Sequence, residues 1–339
     1  MATLIQIPGG SEILLGRNRL PVLELRSSRR RVAVLSQPGS VEIAADVAVD
    51  LARMGLEVES LVLPDGEAAK TLTSTGIVYD WLEEHHIGRD DTLVAVGGGT
   101  VTDLGGFVGA TWLRGIEVVY VTTTLTGAVD AAIGGKTGIN VGGKNLVGVF
   151  SQPKRIVINL DTLDALPVGI LVEGYAEAAK TGYISDQALV DMVGDPGQLA
   201  EVVERCVRFK AAVVAEDLRE SGRRATLNYG HTIGHAIEMA TKMSHGEAVA
   251  VGMVAAAAIA DARFGTDLEV EHRQRLQALG LPTAVEGTSW EDLLPLIRLD
   301  KKRTSDGVRM VLLRSVGDPV VGVVTDQELL LGMRAVGVS

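Results

Sequence analysis

Cysteine is almost missing: Cys206 is the only one in 339 residues, so no intramolecular disulfide can form and a reducing compartment is expected. Basic residues are also in deficit, with 32 Lys and Arg against 43 Asp and Glu and a net charge of −11. That deficit excludes the basic stripe needed to neutralise a phosphate backbone, so no nucleic-acid partner is expected. It does not exclude small anionic ligands, which need only a few focused cations. No apolar run reaches membrane-spanning length, and the start, MATLIQIPGGSEILLGRNRL, lacks a basic stretch followed by a long apolar one. A cytoplasmic protein without a membrane partner is expected. Repeats and low-complexity tracts are absent as well.

What is present is ordinary globular composition, 46% hydrophobic and 22% charged, which is enough apolar residue for a folded core. The length exceeds what one core normally serves, and two domains are expected, at 1–165 and 166–339. In the first, short β-rich runs alternate with amphipathic stretches: VAVLS (32–36), VESLVL (58–63), TLVAV (92–96), EVVYVT (117–122) and RIVINL (155–160). The pattern predicts an α/β domain with a Rossmann-like parallel sheet, its strands buried on both faces. After Leu166-Pro167 the spacing turns helical, over 198–216, 226–241 and 246–263, predicting a mainly α-helical C-terminal domain. VRMVLL (308–313) and PVVGVV (319–324), around Gly317-Asp318, predict a small hairpin.

TLVAV leads directly into Gly97-Gly98-Gly99 and then into TVTDLGGFVGA, of helical spacing. Strand, tight turn and helix is the order of a pyrophosphate cradle, where free N–H groups and the helix dipole meet the phosphates. The string is not G-x-G-x-x-G, and such a turn is as often only a turn. After the second strand PDGEAAK (64–70) offers Glu67 and Lys70 where an acidic residue would meet a ribose, although by itself a solvated turn is the better explanation.

Three of the six histidines fall in NYGHTIGHAIEMATKMSHGEA, at 231, 235 and 245. His231 and His235 are four apart and share a helix face, so spacing alone pairs them as metal ligands. A carboxylate must come from elsewhere. EGYAEAAKTG supplies Glu177, with Lys180 one turn later. One Glu and two His with an open position form a catalytic ligand set, suited to polarising an alcohol or carbonyl oxygen.

Further polar residues are scattered through loops: Asp130 and Lys136 in VDAAIGGKTGIN, Lys144 and Asn145 in GGKNLVG, then Lys210, Arg224, Asn228 and Lys301-Lys302. Singly each lysine reads as a solvated charge. Two in glycine-rich loops poor in other polar residues suit a buried anion.

With PDGEAAK, GGGTVTDLGGFVGATWLRG, VDAAIGGKTGIN, GKNLVG, AEAAKTG, RESGRRATLNYGHTIGHAIE, HGEAVAVGM and DKKR in order, the chain resembles the 3-dehydroquinate synthases, within the sugar-phosphate cyclases. The resemblance implies an N-terminal NAD+ domain, a helical domain carrying Zn2+ or Co2+, an active site between them and a homodimer. It assigns the metal to Glu177, His231 and His245, and moves His235 to the substrate. Lys136, Asn145, Asn228, His235 and Lys301 then surround the phosphate and the reacting ring, Lys210 and Arg224 clamp the carboxylate, and Asp130 and Lys180 meet hydroxyls. Arg114 reaches the neighbouring subunit's phosphate site. Glu67, Lys70, Gly98, Gly99, Asp103, Thr123, Thr124 and Lys144 fall on NAD+-contacting positions.

The implied reaction turns 3-deoxy-D-arabino-heptulosonate 7-phosphate into 3-dehydroquinate and phosphate: transient oxidation, elimination, re-reduction and aldol closure. TTTLTGAVD (122–130) lacks a proline common in that family, NVGGKN (140–145) is one residue short and the N-terminal hairpin region is abbreviated. An aminodehydroquinate synthase using a 4-amino substrate therefore stays open. So does a metal-dependent polyol dehydrogenase, which would accumulate NADH instead of releasing phosphate.

Overall fold

A computed structural model of the chain describes residues 2–7, 10–24, 31–218, 222–299, 303–304 and 307–339. It forms two compact units, Met1–Leu166 with Lys210–Ala215, and Pro167–Phe209 with Glu216–Ser339.

The first unit carries β1 (Thr3–Ile7), β2 (Ser11–Gly16), β3 (Arg31–Ser36), β4 (Glu57–Val62), β5 (Thr92–Gly97), β6 (Glu117–Thr122), β7 (Lys136–Ile139), β8 (Val147–Phe150) and β9 (Arg155–Asn159). Seven make one sheet in the order β1-β2-β9-β6-β5-β3-β4, parallel throughout except for the β1–β2 hairpin at one edge. β5 is buried along its whole length and β3 and β6 nearly so, as continuous apolar runs covered on both faces require. β4 departs from the expectation. It pairs only with β3, and half-exposed and exposed residues make up its length, because an edge strand is covered less completely than a central one. β1 and β2 add a hairpin that the run of strand-like segments did not include, and β7 pairs with β8 in a separate ribbon.

From β3 the chain first goes outward to β4 and then returns to β5 on β3's other side, so the order reverses between β3 and β5. The carboxyl ends of strands at such a reversal are where open α/β sheets bind ligands. β5 ends there in Gly97, leading into the helix Gly99–Thr111. That helix sits close to the sheet because its inner face is glycine: a Cβ on Gly105 would lie 2.7 Å from Ala95 Cβ, and one on Gly106 or Gly109 would collide with Tyr120 or Val118.

In the second unit the helices Val168–Ser185, His231–Ala240, His245–Phe264, Leu268–Ala278, Trp290–Leu299 and Asp326–Ala335, with most of Leu199–Glu216, accompany a small sheet of β10 (Arg303–Thr304), β11 (Gly307–Leu313) and β12 (Pro319–Val324). The β11–β12 hairpin is the expected one, with Gly317 at φ 83 in its turn. His245–Phe264 is buried continuously from Ala248 to Ala260, and AVAVGMVAAAAIA has no polar stripe because every face meets protein. No described helix is long and apolar enough to cross a membrane.

The glycines separate into two classes that mutation should distinguish. Gly76, in the helix Leu72–Glu84, faces open space, and Gly76→Ala should raise stability by about 0.5–1 kcal/mol in denaturant unfolding. Gly105→Ala should lower it by about 1–3 kcal/mol because Ala95 lies in the way. Equal effects of the two substitutions would refute this account of the helix packing.

Candidate active site

Three helices bring the histidine cluster together, and glycines set how close they come. A Cβ on Gly234 would lie 3.0 Å from Ala248 O, one on Gly252 would strike the Gly230 carbonyl, and one on Gly246 would strike that of Glu173. Gly230 itself is left-handed, at φ 76, and turns the chain into His231–Ala240. His245 opens its helix behind a capping box in which Ser244 Oγ accepts from Glu247 N and the Glu247 carboxylate accepts from Ser244 N. Glu177 lies mid-helix in Val168–Ser185 and is fully buried.

Glu177 Oε1 lies 3.1 Å from His245 Nε2 and 3.5 Å from His231 Nε2. Donors around a tetrahedral cation with bonds of ~2.0–2.1 Å stand about 3.3 Å apart, so this trio has the spacing of a metal face. All three ligand atoms lie within 4.8 Å of one another. His231 Nδ1 donates to Tyr229 O at 3.0 Å, since a carbonyl can only accept, and Nε2 is left for a ligand. The carboxylate's second oxygen, Oε2, is buried without a hydrogen bond of good geometry, and Lys180 Nζ pairs with it at 2.5 Å. A buried carboxylate facing two imidazoles is a donor set that fits a divalent cation, and the Lys180 ammonium pairs with the carboxylate's second oxygen.

Charges in this trio shift together. Burial opposes ionisation of Glu177, but Lys180 and the two histidines overcome it and hold the carboxyl well below its usual range. Burial, reinforced by Lys180, pushes His231 well below the ordinary imidazole value. Burial also opposes protonation of His245, yet hydrogen bonds to Glu177 and Glu238 lift it to about 9.

The pairing of His231 with His235 that spacing suggests is not how the donors group. His231 joins Glu177 and His245, whereas His235 joins Glu238 and His245 in a second group within 4.8 Å. The His231 and His235 rings are neighbours, 5.1 Å between centroids, but only His231 faces the buried carboxylate. Glu238 was missed in the sequence. Its signal was the period H-x-x-x-H-x-x-E, which places 231, 235 and 238 on one helical stripe. Nearby, Asn228 Nδ2 donates to Ala225 O, and the buried Arg224 donates to Leu218 O and, through its backbone N, to Asp217. Lys301 and Lys302 lie outside the described residues.

In the first unit strand, glycine turn and helix follow one another in the expected order, with Gly98 capping the helix Gly99–Thr111. Gly98 and Gly99 are also needed for packing, since a Cβ on either would come within 3.0 Å of Thr124 or Ala131. Thr123 N donates to Gly97 O, and Thr124 Oγ1 accepts from Gly127 N. Lys70, only 2% exposed, donates to Asp103 Oδ2 at 2.8 Å and Asn145 Oδ1 at 2.5 Å, with Glu67 Oε1 at 3.4 Å. Asn140 closes this network, donating to Glu67 and accepting from Asn145 N. Burial works against both charges of the central pair: the Asp103 carboxyl is raised by it despite Lys70, while Lys70 is raised despite burial by Asp103 and Glu67. Lys144, half-buried in the same loop, helps lower Glu67, although burial of that carboxyl opposes the shift.

Asp130, in the turn Gly127–Ala131, holds Lys210 Nζ through Oδ1 at 2.7 Å and through its own carbonyl. Lys136 begins β7 with an exposed side chain. Arg114 is exposed in a tight turn where it and Leu113 both have positive φ.

With both sets of residues placed, comparison with known proteins is informative. Residues 60–173 match the family described as 3-dehydroquinate synthase N-terminal, and residues 174–303 the one described as 3-dehydroquinate synthase C-terminal. The chain belongs to the 3-dehydroquinate synthase family. It is 42% identical to the 3-dehydroquinate synthase of Pseudarthrobacter chlorophenolicus, covering 97% of this chain and 96% of that one. Among solved structures it is similar to 2-deoxy-scyllo-inosose synthase complexed with carbaglucose-6-phosphate, NAD+ and Co2+, with TM-score 0.87 and 26% identity, covering 98% and 100% of the two chains. It is also similar to the 2-epi-5-epi-valiolone synthase ValA of Streptomyces hygroscopicus subsp. jinggangensis with NAD+ and Zn2+ bound, with TM-score 0.84, 26% identity and 91% of each chain covered.

The coupling within the Lys70–Asp103 pair can be tested directly. Lys70→Met leaves the half-buried Asp103 without the ammonium beside it and should destabilise the protein by about 1–3 kcal/mol, whereas Lys70→Met with Asp103→Asn should recover most of that loss. Urea unfolding of Lys70→Met, Asp103→Asn and the double variant measures both effects. Strictly additive losses would show that the pair is not coupled.

Proposed function

We propose that this chain is a working 3-dehydroquinate synthase, converting 3-deoxy-D-arabino-heptulosonate 7-phosphate to 3-dehydroquinate and phosphate as a cytoplasmic homodimer. The observation that carries the reading is the convergence of Glu177, His231 and His245 at metal spacing in a chain matched to this family over residues 60–303. Solved relatives holding NAD+ with Co2+ or Zn2+ support the same two cofactors here.

When bound, NAD+ supplies reversible hydride transfer, and the cation supplies charge stabilisation for the oxygen being oxidised. Glu177, His231 and His245 hold the cation, and Lys180 keeps Glu177 ionised before it arrives. The N–H groups around Gly98 and Gly99, at the start of a helix, receive the pyrophosphate. Glu67, Lys70, Asp103, Thr123, Thr124 and Lys144 line the rest of the NAD+ site. Lys136, Asn145, Asn228, His235 and Lys301 bind the phosphate and ring, Lys210 and Arg224 the carboxylate, Asp130 and Lys180 the hydroxyls. Arg114 serves the site of the second subunit. Lys210 must exchange its contact with Asp130 for one with the substrate, and Asp130 is then left to accept from a hydroxyl.

The departures in TTTLTGAVD and NVGGKN leave one second reading open, a 4-amino substrate. Protein loaded with NAD+ and Co2+ should release phosphate from the heptulosonate phosphate without lasting NADH absorbance, and faster than from its 4-amino analogue. Turnover of the analogue alone would establish the second reading, and turnover of neither would sink both. Glu177→Ala should lower the rate by more than about a hundredfold, because a catalytic cation is worth several kcal/mol.

Metal binding should also depend on pH. His231 is already neutral at pH 7, but His245, raised to about 9, must lose a proton before it can ligate. Binding should therefore release about one proton at pH 7, and the apparent affinity should weaken about tenfold for each unit the pH falls below that value. Calorimetry in two buffers of different ionisation enthalpy measures the proton directly. Identical heats would contradict the assignment of His245.

A further inference from the structure

Glu238 takes no part in the metal trio, yet its carboxylate faces the far side of a trio ligand, His245. His231, His235 and Glu238 occupy i, i+4 and i+7 of the helix His231–Ala240, so all three project from one stripe. His245 lies against that stripe, its ring centroid 5.3 Å from that of His231 and 5.9 Å from that of His235. Its Nε2 faces Glu177 Oε1 at 3.1 Å, and its Nδ1 faces Glu238 Oε2 at 3.2 Å.

We propose that Glu238 is a positioning residue for the metal: by accepting from His245 Nδ1–H it fixes the tautomer and ring orientation that present Nε2 to the cation. The inference rests on the metal trio assigned above. Each trio histidine then has its Nδ1 held by an oxygen, but by different means. For His231 the oxygen is the backbone carbonyl of Tyr229, placed by the fold itself. For His245 it is a side chain, which can be removed by mutation.

The two histidines also differ in how much they need such help. The side chain of His231 is 10% exposed and is held by its surroundings, whereas that of His245 is 26% exposed on the first turn of its helix. A ring so placed can turn about two side-chain bonds, and water competes for its Nδ1. An anionic acceptor there restricts the ring and makes its free nitrogen a stronger donor to a metal. The same geometry carries a rival, since His235, Glu238 and His245 could themselves take a cation within their own 4.8 Å group. Glu238 would then be a ligand.

Titrating apo-protein with Co2+, followed by visible absorption and calorimetry, separates these roles. Glu177→Gln should abolish tight binding. Glu238→Ala should weaken it by about 10- to 100-fold with stoichiometry unchanged. Glu238→Gln, which keeps an acceptor oxygen, should recover most of the loss, and the apo-protein melting temperatures of both Glu238 variants should stay near wild type. That pattern supports the proposal. If Glu238→Ala binds like wild type while Glu177→Gln does not, the positioning role is wrong and the trio stands. If Glu238→Ala abolishes binding and Glu238→Gln restores none of it, Glu238 is a ligand and the proposal is overturned. If Glu177→Gln binds like wild type, the trio itself is wrong and the proposal falls with it.

Discussion

The close crossing of His231–Ala240 over His245–Phe264 is the constraint on which the candidate metal site depends. Gly230, Gly234 and Gly252 leave no room for a Cβ between these helices, and Gly246 does the same toward Val168–Ser185. Imidazole reach is short, so two histidines and a glutamate on three helices can share one cation only if the helix axes come unusually near. The glycines are a packing device first. Their consequence is chemical, because each extra methyl would push ligand atoms beyond the roughly 3.3 Å spacing that a small cation needs.

Each unit pairs a buried lysine with a carboxylate at its candidate site. Lys180 with Glu177 and Lys70 with Asp103 are each taken largely out of water. An unpaired charge in such surroundings is costly, and each pair leaves its partners fixed in orientation as well as in charge. Asn140, Asn145 and Glu67 extend the second pair into a network through a short glycine-rich loop, in which Asn145 itself adopts a positive φ. A loop anchored in this way can hold polar groups ready for a ligand, whereas a loop of the same composition facing water would not.

Much of this was legible in the sequence because the relevant signals are local and periodic. The central strands β3, β5, β6 and β9 read as continuous apolar runs, and the helices around the histidines read from their spacing, since burial on both faces or on one stripe leaves a direct mark on residue order. β4 read as equally buried because VESLVL is apolar enough, but an edge position is a property of sheet order and leaves no local mark. Glu238 was visible as a seventh-residue partner of His231, yet without knowledge of where His245 arrives it reads as an ordinary solvated glutamate.

By itself, then, the sequence determined the fold class, the glycine turn after TLVAV, and a family resemblance dense enough to single out candidate ligands, because these rest on strings of adjacent residues. Tertiary structure alone decided which donor atoms meet. His231 and His235 are neighbours on one helix, but Glu177 and His245 arrive from two others, 54 and 14 positions away along the chain from His231. Spacing along a helix fixes which side chains share a face. Which of those faces a buried carboxylate is set by the approach of other helices, and that approach is a matter of packing.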